Sequence, residues 1–519
     1  MNGAEALVGT LGANGVDTVF ANAGTSEMHV VAALDGAPAM RPVLCLFEGV
    51  ATGAADGYAR VAGRPAATLL HLGPGLANGW ANLHNARRAH VPVLNVVGAH
   101  PRAHDRLDPP LASRLAELAG SLGGTVTTAS SADDVPTSAV GALAGTRGVR
   151  GGIATLVLPA DVAWSDLSAT PPSWPLAPAP SRPRPPAATV EEAWRWLRDG
   201  RAALVLGGSL GTEALADASS VAAAAGARLL VETFPAVLAH GAGVVSPERV
   251  IYLSEFAIAQ LADLERVVLV GAAAPVGFFA YPGLPSRLLP PDCRILDLAE
   301  DGVDPAAALA DLARASDAVR QPGPDADPVT APDGDLNPAS LAAAVAATLS
   351  EDAVVVDEAN TAGLHLYSAL AAAPPHRLLT LTGGAIGFGL PAALGAALGS
   401  GARVTALVAD GAAMYTVQAL WSLAREGLDV TVVVLANHAY DILRLERTRL
   451  GPLPNAGASH ALTDLSAPTI DHVALARGYG VAARRVTDAT DLVGALRDAA
   501  HEPGPHLIEV PLPAMAFGT

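Results

Sequence analysis

Short, mainly apolar runs alternate with longer Ala-rich stretches along the first third of the chain. The runs at residues 16–20, 42–47 and 92–97 combine Val, Leu, Cys and Phe with few charges, which is typical of parallel strands that are buried on both faces. Between them, residues 49–61 space their apolar side chains as a helix does. Strands alternating with helices of this length predict a doubly wound α/β sheet.

The same alternation returns later, and two Pro-rich breaks divide the chain. Residues 171–186 are rich in Pro, and residues 321–337 are rich in Pro and Asp, compositions that do not build a core. We therefore predict three α/β domains with parallel sheets, an N-terminal domain at 1–170, a central domain at 187–320 and a C-terminal domain at 336–519. Residues 71–98 and 410–437 each follow the pattern loop, helix, strand, which suggests that the outer two domains are related.

Composition and charge narrow the possible partners and the compartment. The net charge of -18 without a basic cluster argues against nucleic acid and anionic membranes, but a small anionic substrate remains possible beside local dipoles. With two cysteines, no basic n-region at the N-terminus and no apolar run of membrane-spanning length, we expect a soluble, cytoplasmic protein without disulfides.

A carboxylate stands at the end of a predicted strand in the C-terminal domain. Asp410, Gly411 and Ala412 follow the apolar run 404–409, so Asp410 can ligate Mg²⁺ while the N–H groups of the next helix hold diphosphate oxygens. Asn437 follows the next apolar run, 430–435. Because parallel strands end at the same sheet edge, we expect Asn437 beside Asp410. The alternative is that Asp410 caps a helix and Asn437 merely ends a strand.

Asp-Gly followed about thirty residues later by Asn resembles the metal–diphosphate motif of thiamine-diphosphate-dependent enzymes. Chain length and domain pattern are similar to the 2-oxo acid decarboxylase and acetolactate synthase superfamily, especially benzoylformate decarboxylase-like proteins and short acetolactate synthase large-subunit homologues. The resemblance implies an N-terminal pyrimidine-binding and a C-terminal diphosphate-binding domain. It also implies Mg²⁺ ligands at Asp410, Asn437 and the Ala439 carbonyl, and cofactor contacts at Gly411, Ala412 and Tyr440. Ala409 and Ala436 replace the family's usual Gly and Asn.

Glu48 follows the apolar residues 44–47 and precedes Gly57-Tyr58-Ala59-Arg60, which is similar to a helix of the family. Thiamine chemistry needs an acid at the pyrimidine nitrogen, and we predict Glu48 for that catalytic role. We expect burial among Leu and Phe to favour the neutral carboxyl. The alternative is a carboxylate on the first turn of a helix, where the macrodipole favours it.

Two further segments resemble cofactor-binding loops of the family. In the Gly-rich residues 383–389, Ile386 would wedge between the two rings of the cofactor and the Gly384 carbonyl would bond the aminopyrimidine. The alternative is an ordinary strand–helix turn with packing glycines. Asn360 and Thr361 follow another strand and could donate to the diphosphate or, alternatively, cap a helix.

The predicted substrate contacts come from four places in the sequence. By the resemblance, His71 faces the reacting centre and shuttles protons, which suits an imidazole near neutral pH, although a core His is the alternative. Thr25 matches a hydroxyl that contacts the substrate carboxylate, while Ala23 replaces the usual Pro of that loop. Phe279 or Ala280 stands in the place of a second His of the family, and Ile442 and Leu443 would line the pocket.

Loss of that second His weakens the case for a simple decarboxylase and favours a carboligase. We therefore predict a C–C lyase or carboligase that acts on 2-oxo acids through an enamine and releases 2-hydroxy ketones or aldehydes. A benzoylformate decarboxylase-type enzyme and a non-catalytic homologue are alternatives, and residues 207–214 give a weak nucleotide-binding signal. FAD is possible but unsupported. The family further implies a homodimer or homotetramer in which Glu48 faces another subunit's metal site.

Overall fold

The computed structural model describes residues 1–148, 151–179, 181, 183–300, 302–320, 323–450 and 457–515. These residues divide into two compact units. The first unit comprises Met1–Thr146, Gly152–Pro178 and Pro328–Thr519, and the second comprises Ala179–Asp327 with the short Arg147–Gly151. The N- and C-terminal sheets thus share one unit, and the three predicted domain boundaries stay a prediction.

The N-terminal part of the first unit is a parallel sheet with helices between its strands. The strands are β1 (Thr18–Asn22), β2 (Arg41–Leu44), β3 (Ala66–Leu70), β4 (Val93–Ala99), β5 (Thr125–Thr128) and β6 (Ile153–Pro159). The helices are α1 (Gly3–Ala13), α2 (Met28–Leu34), α3 (Glu48–Ala62), α4 (Leu72–Arg88), α5 (Arg102–Asp105), α6 (Leu115–Gly120), α7 (Val135–Thr146) and α8 (Ala160–Trp164), with 3-10 turns at Thr25–Glu27 and Ala132–Asp134. The spatial order is β2-β1-β3-β4-β6-β5.

Local chemistry explains where the helices of this part begin and end. Asn2 caps α1, and Glu5 reaches back to the Asn2 N–H, which completes a capping box. Gly63 ends α3 with φ at +65°, a left-handed conformation that favours glycine. Small aliphatic side chains of α1, α7 and the strands fill the core on one side of the sheet.

The second unit has a smaller parallel sheet. Its elements are α9 (Ala187–Leu197), β7 (Ala202–Leu206), β8 (Ser209–Leu210), α10 (Thr212–Ala225), β9 (Arg228–Val231), β10 (Val237–His240), β11 (Glu248–Arg249), α11 (Ser254–Leu261), β12 (Arg266–Val270), β13 (Arg294–Asp297) and α12 (Pro305–Ala315). The strand order is β11-β9-β7-β12-β13, and β8 pairs with β10. This doubly wound order is typical of nucleotide-binding folds, yet fold alone assigns no ligand.

The C-terminal part of the first unit repeats the N-terminal strand order. Its strands are β14 (Val354–Glu358), β15 (His376–Thr380), β16 (Val404–Ala409), β17 (Val430–Ala436), β18 (Ala482–Arg485) and β19 (His506–Pro511). Its helices are α13 (Pro338–Thr348), α14 (Leu366–Leu370), α15 (Gly389–Ser400), α16 (Asp410–Ala413), α17 (Ala419–Glu426), α18 (Asp441–Thr448), α19 (Ala458–Ala461), α20 (His472–Gly478) and α21 (Ala489–His501), with a 3-10 turn at Asn360–Gly363. The strands are ordered β15-β14-β16-β17-β19-β18, so the predicted relation between the outer parts is confirmed.

The predicted α/β class with parallel sheets is confirmed. Every strand pair described above is parallel. Cys45 and Cys293 are both buried free thiols, and burial raises the pKa of each. In the part of the chain that the structure describes, no helix is both long and apolar enough to span a membrane.

Candidate active site

The turn after β1 directs a carboxylate into the protein. Glu27 ends the 3-10 turn, is 1% exposed and accepts from Gly24 N at 2.8 Å through Oε2. Gly98 on β4 leaves the space that this side chain fills, because an added Cβ would lie 1.7 Å from Glu27 Oε1. Thr25, the predicted substrate contact, begins the same turn and is exposed. The turn therefore presents a hydroxyl outward and a carboxylate inward.

His71 follows β3 and contacts this carboxylate. Its Nδ1 lies 2.8 Å from Glu27 Oε2, and its side chain is 24% exposed. The two residues meet because β1 and β3 are neighbours, with Asn22 opposite Leu70. An Nδ1 proton donated to Glu27 leaves Nε2 as the basic nitrogen of the neutral imidazole. The structure thus brings His71 and the Thr25 turn together at one sheet edge.

Glu48 is the first residue of α3, as the helix-start alternative proposed. Its Oε2 accepts from Asn78 Nδ2 at 3.0 Å, and an added Cβ on Gly75 would lie 3.2 Å from Oε1. The expected burial among Leu and Phe is wrong for this chain. Glu48 is only half-buried, and Leu44 and Leu46 are 40% and 44% exposed.

Arg60, in the helix that resembles the family, links α3 to the Gly-rich loop. Its guanidinium forms two bonds to Asp56, at 2.8 and 2.9 Å, and both side chains are 0% exposed. It also donates to the Thr380 carbonyl at 2.7 Å and to Thr382 Oγ1 at 3.1 Å. Burial raises the pKa of Asp56, and the Arg60 charge opposes that rise. This helix therefore supports the segment that leads into residues 383–387.

A pair of asparagines on α4 holds the backbone of that loop, and we call this pair the asparagine clasp (Asn82 and Asn85). Asn85 Nδ2 donates to the Ala385 carbonyl at 2.8 Å, and Asn85 Oδ1 accepts from Ala385 N at 3.2 Å. Asn82 Nδ2 donates to the Gly387 carbonyl at 3.1 Å. Ile386, the predicted wedge, is half-buried between these anchored positions. Gly384, the predicted pyrimidine contact, is exposed with φ at +72°.

Asp410 lies where β16 ends and is 2% exposed. Its Oδ1 accepts from Gly411 N at 2.8 Å, and its Oδ2 accepts from His438 N at 2.7 Å. Burial raises the pKa of Asp410, and these two N–H groups oppose the rise. Because β16 and β17 pair with Ala409 opposite Leu435, Asp410 and Asn437 come together at the edge, as expected from the sequence.

Asn437 is oriented by a carboxylate on α18. Its Nδ2 donates to Asp441 Oδ2 at 2.9 Å, while its Oδ1 accepts from Ala439 N at 3.2 Å. Asp441 is 2% exposed. With the amide nitrogen engaged by Asp441, Oδ1 is the atom that can ligate a cation. The neighbouring segment is fixed by Tyr440 N, which donates to Thr463 O at 3.0 Å, and this places the Ala439 carbonyl.

The predicted diphosphate contacts surround this edge. Gly411 packs under Tyr440, since an added Cβ would lie 2.5 Å from the ring, and Ala412 is buried on the single-turn helix α16. The helix expected to open after Asp410 is a single turn that ends at Ala413, and a second helix, α17, begins at Ala419 before the next strand. Asn360 and Thr361 lie on a 3-10 turn after β14, with Asn360 at φ +51°, a conformation that Asn tolerates.

The remaining predicted substrate residues lie on both units. Ile442 is half-buried and Leu443 is 49% exposed on the first turn of α18. Phe279 belongs to the second unit, in the segment between β12 and β13, and is 60% exposed. Phe278 beside it packs against Phe234 and Tyr252, with ring centroids 5.4 and 4.8 Å away.

The C-terminal edge fits a magnesium–diphosphate group by the chemistry of its donors. A carboxylate, an amide oxygen and a backbone carbonyl are the hard oxygen ligands that Mg²⁺ takes. Within the described residues, no hydrogen bond or ion pair joins Glu48 or His71 to Asp410 or Asn437. The single chain thus presents two separate groups of residues at the sheet edges. We call Glu27, Glu48 and His71, with the Thr25 turn, the acid–base edge, and Asp410, Asn437 and the Ala439 carbonyl the ligand edge.

Sequence reasoning missed four polar residues that support these edges, namely Glu27, Asn78, Asp441 and Glu358. Three of the four are buried, and each acts through a contact distant in sequence or specific to a turn. Two had a usable signal. Glu27 lies three residues after Gly24, in the spacing of a capping box, and Asp441 lies one turn after Asn437.

The fold and the two edges define the class, and the chain belongs to the thiamine pyrophosphate enzyme family. Residues 1–118 match the family model "Thiamine pyrophosphate enzyme, N-terminal TPP binding domain". Residues 361–510 match "Thiamine pyrophosphate enzyme, C-terminal TPP binding domain". The predicted family is therefore confirmed.

Several known proteins are similar to this chain over nearly its full length. The chain is 51% identical to IlvX of Mycobacterium tuberculosis, provisionally named an acetolactate synthase large subunit, over 99% of this chain and 100% of that protein. It is 29% identical to benzoylformate decarboxylase of Pseudomonas aeruginosa over 96% of each chain. A solved 4-hydroxybenzoylformate decarboxylase of Rhodococcus jostii RHA1 superposes with a TM-score of 0.81 at 24% identity, covering 99% of this chain and 100% of the other. That last likeness shows the fold.

Proposed function

We propose that the protein is an acetolactate synthase-like carboligase that uses thiamine diphosphate and Mg²⁺. It removes carbon dioxide from a 2-oxo acid and joins the remaining acyl group to a second carbonyl. The observation that carries this proposal is the ligand edge, where the paired strands β16 and β17 end together at Asp410 and Asn437, and Asp410 Oδ2 accepts from His438 N at 2.7 Å. The cofactor supplies an electron sink for the negative charge left when carbon dioxide departs.

The residues of this chain would hold the cofactor at both ends. Asp410, Asn437 and the Ala439 carbonyl hold Mg²⁺, and Gly411, Ala412, Asn360 and Thr361 contact the diphosphate. Glu48 exchanges a proton with the pyrimidine nitrogen, and Asn78, which donates to Glu48 Oε2 at 3.0 Å, orients the carboxyl for this exchange. We propose that Glu48 reaches the ligand edge of a second subunit, in a homodimer or homotetramer.

Substrate handling would fall to the acid–base edge. Thr25 donates to the carboxylate of the 2-oxo acid, and His71, oriented by Glu27 at 2.8 Å, moves a proton at the reacting carbonyl. Ile442 and Leu443 provide apolar surface. In the sequence, aromatic residues around Phe279 replace the second imidazole that the resemblance implies. With one proton donor fewer, addition to an acceptor carbonyl competes better with protonation.

A simple 2-oxo acid decarboxylase is the second candidate. The Glu27–His71 pair favours it, because an imidazole whose Nδ1 proton is held by Glu27 can take up a proton at Nε2 and then pass it to the carbon that carbon dioxide leaves. The relative named benzoylformate decarboxylase, matched over 96% of this chain, is consistent with that alternative.

Carbon dioxide release from a panel of 2-oxo acids, with thiamine diphosphate and Mg²⁺, tests the proposal. We expect release that depends on the cofactor and falls at least about 100-fold in Glu48→Gln. Analysis of the products by NMR separates 2-hydroxy ketones, expected from the carboligase, from aldehydes, expected from the decarboxylase. Cofactor binding without turnover of any acid in the panel would point to a non-catalytic homologue.

A further inference from the structure

A buried carboxylate on β14 holds the loop that carries Ile386. Glu358, the last residue of β14, is 2% exposed. Its Oε1 accepts from Gly387 N at 2.7 Å and from Phe388 N at 3.0 Å, and its Oε2 accepts from Gly389 N at 2.7 Å. Three consecutive N–H groups, at the point where the loop enters α15, thus converge on one side chain.

The backbone of this loop packs closely against Glu358. An added Cβ on Gly389 would lie 2.9 Å from both Glu358 Oε2 and Val408 Cγ2. The Gly387 carbonyl is held from the other side by Thr416 Oγ1 at 2.9 Å and by the asparagine clasp. Burial raises the pKa of Glu358 to about 7, and the three N–H groups oppose that rise.

The loop needs such anchors because it is rich in glycine. Gly384 and Gly387 have φ at +72° and +94°, and glycine loses more conformational freedom on ordering than any other residue. The asparagine clasp fixes Ala385, and Glu358 fixes Gly387. Ile386 lies between these two anchors, so its position depends on both.

We propose that Glu358 is a positioning residue for cofactor binding, because it fixes the backbone of residues 387–389 and thereby places Ile386 against the cofactor. This inference rests on the proposed function, since it assigns Glu358 to the same site. The side chain itself would not touch the cofactor, because all its described partners are backbone N–H groups on the inner side of the loop.

The test compares Glu358→Gln with Glu509→Gln. Glu509 is a matched control because it is also buried (0% exposed) on a strand of the same sheet, and it pairs with Arg485 at 2.9 Å. Glu358→Asp serves as a second variant that keeps the charge but cannot reach all three N–H groups, in case Glu358→Gln does not fold.

Two readouts are measured on each protein. Hydrogen exchange of the segment 383–389, followed by mass spectrometry without cofactor, reports the loop directly. The dissociation constant of thiamine diphosphate at fixed Mg²⁺ reports the site. We expect both Glu358 variants to speed exchange of this segment and to weaken cofactor binding at least about tenfold, while Glu509→Gln changes neither.

The outcomes separate this inference from the proposed function. Unchanged exchange in the Glu358 variants, or faster exchange with unchanged cofactor affinity, would overturn the positioning role. If the unmodified protein binds no thiamine diphosphate while the Glu358 variants still speed exchange, the proposed function fails and the anchoring of the loop stands without a cofactor to position.

Discussion

The two outer sheets have the same strand order but carry different chemistry at equivalent strand ends. Counting strands along each part, both sheets run 2-1-3-4-6-5, so in both the strand order reverses between strands one and three, where strand two lies on one side of strand one and strand three on the other. At the end of strand three, one sheet has His71 and the other has Asp410. Ligands gather at such switch points in doubly wound folds. The strand order therefore fixes where a site lies, and the residues after the strands decide its chemistry.

A carboxylate at the end of the first strand of each sheet, Glu27 after β1 and Glu358 on β14, shows the same contrast. Glu27 contacts an imidazole, which exchanges protons in the proposed function, whereas Glu358 contacts three backbone N–H groups of a loop. In the proposed function, one edge would move protons through its side chains, and the other would hold ligands through oxygen atoms and a fixed backbone.

The largest effect is expected from the ligand edge. Asp410→Asn removes a charged ligand, so we expect the dissociation constant of thiamine diphosphate at fixed Mg²⁺ to rise at least about 100-fold. Fluorescence titration measures it. Asp429→Asn is the control, because Asp429 lies just before the opposite end of β17, where it accepts from Gly504 N at 2.8 Å. Equal losses in the two variants would contradict a ligand role.

A smaller effect is expected at the acid–base edge. Glu27→Gln keeps the shape but removes the charge that orients His71, so we expect kcat to fall about 10- to 100-fold with unchanged cofactor affinity. Steady-state kinetics with a 2-oxo acid that is turned over measure this. Glu5→Gln, in the capping box of α1, should leave kcat as it is. A loss of cofactor affinity in Glu27→Gln would contradict the assignment of proton transfer to one edge and cofactor binding to the other.

The smallest effect concerns an imidazole behind the ligand edge. Burial, followed by the charge of His438, lowers the pKa of His472 to about 4 from an ordinary 6.5. The unfolded chain takes up this proton at higher pH than the folded one, so stability present above pH 6.5 is lost as the pH falls toward 4. Between pH 7 and pH 5, we expect the free energy of unfolding of His472→Gln to fall by about 1 kcal/mol less than that of the unmodified protein.

Denaturant titrations at pH 7, 6 and 5 measure the slope of the free energy of unfolding against pH. His501→Gln is the control, because His501 is exposed at the end of α21 and should keep the slope of the unmodified protein. An unchanged slope in His472→Gln would mean that another group dominates the acid sensitivity of this part.

Buried strands were the most predictable feature of the fold. The expected run at 404–409 coincides with β16, because it is apolar and bounded by the charged residues Arg403 and Asp410. The run at 16–20 was displaced, since β1 spans Thr18–Asn22. Pairing of Asn22 with Leu70 extends this strand past its apolar residues, and hydrophobicity alone does not report such pairing.

The site was predictable where a strand end fixes a residue and unpredictable where a tertiary contact does. Asp410 and Asn437 came together because adjacent parallel strands end at one edge. Glu358 was missed because its partners lie about thirty residues away on a loop. The exposure of Leu46 was missed because an apolar residue beside a strand is ordinarily expected inside.

The asparagine clasp has a thermodynamic consequence. Ordering one residue's backbone costs about 1–2 kcal/mol, and Asn85 already engages both the N–H and the carbonyl of Ala385 in the protein alone. A ligand that meets this loop does not have to order it. Its binding should therefore show a small entropic penalty by calorimetry, and Asn85→Ala should convert that into a larger penalty with little change in the enthalpy of the contacts themselves.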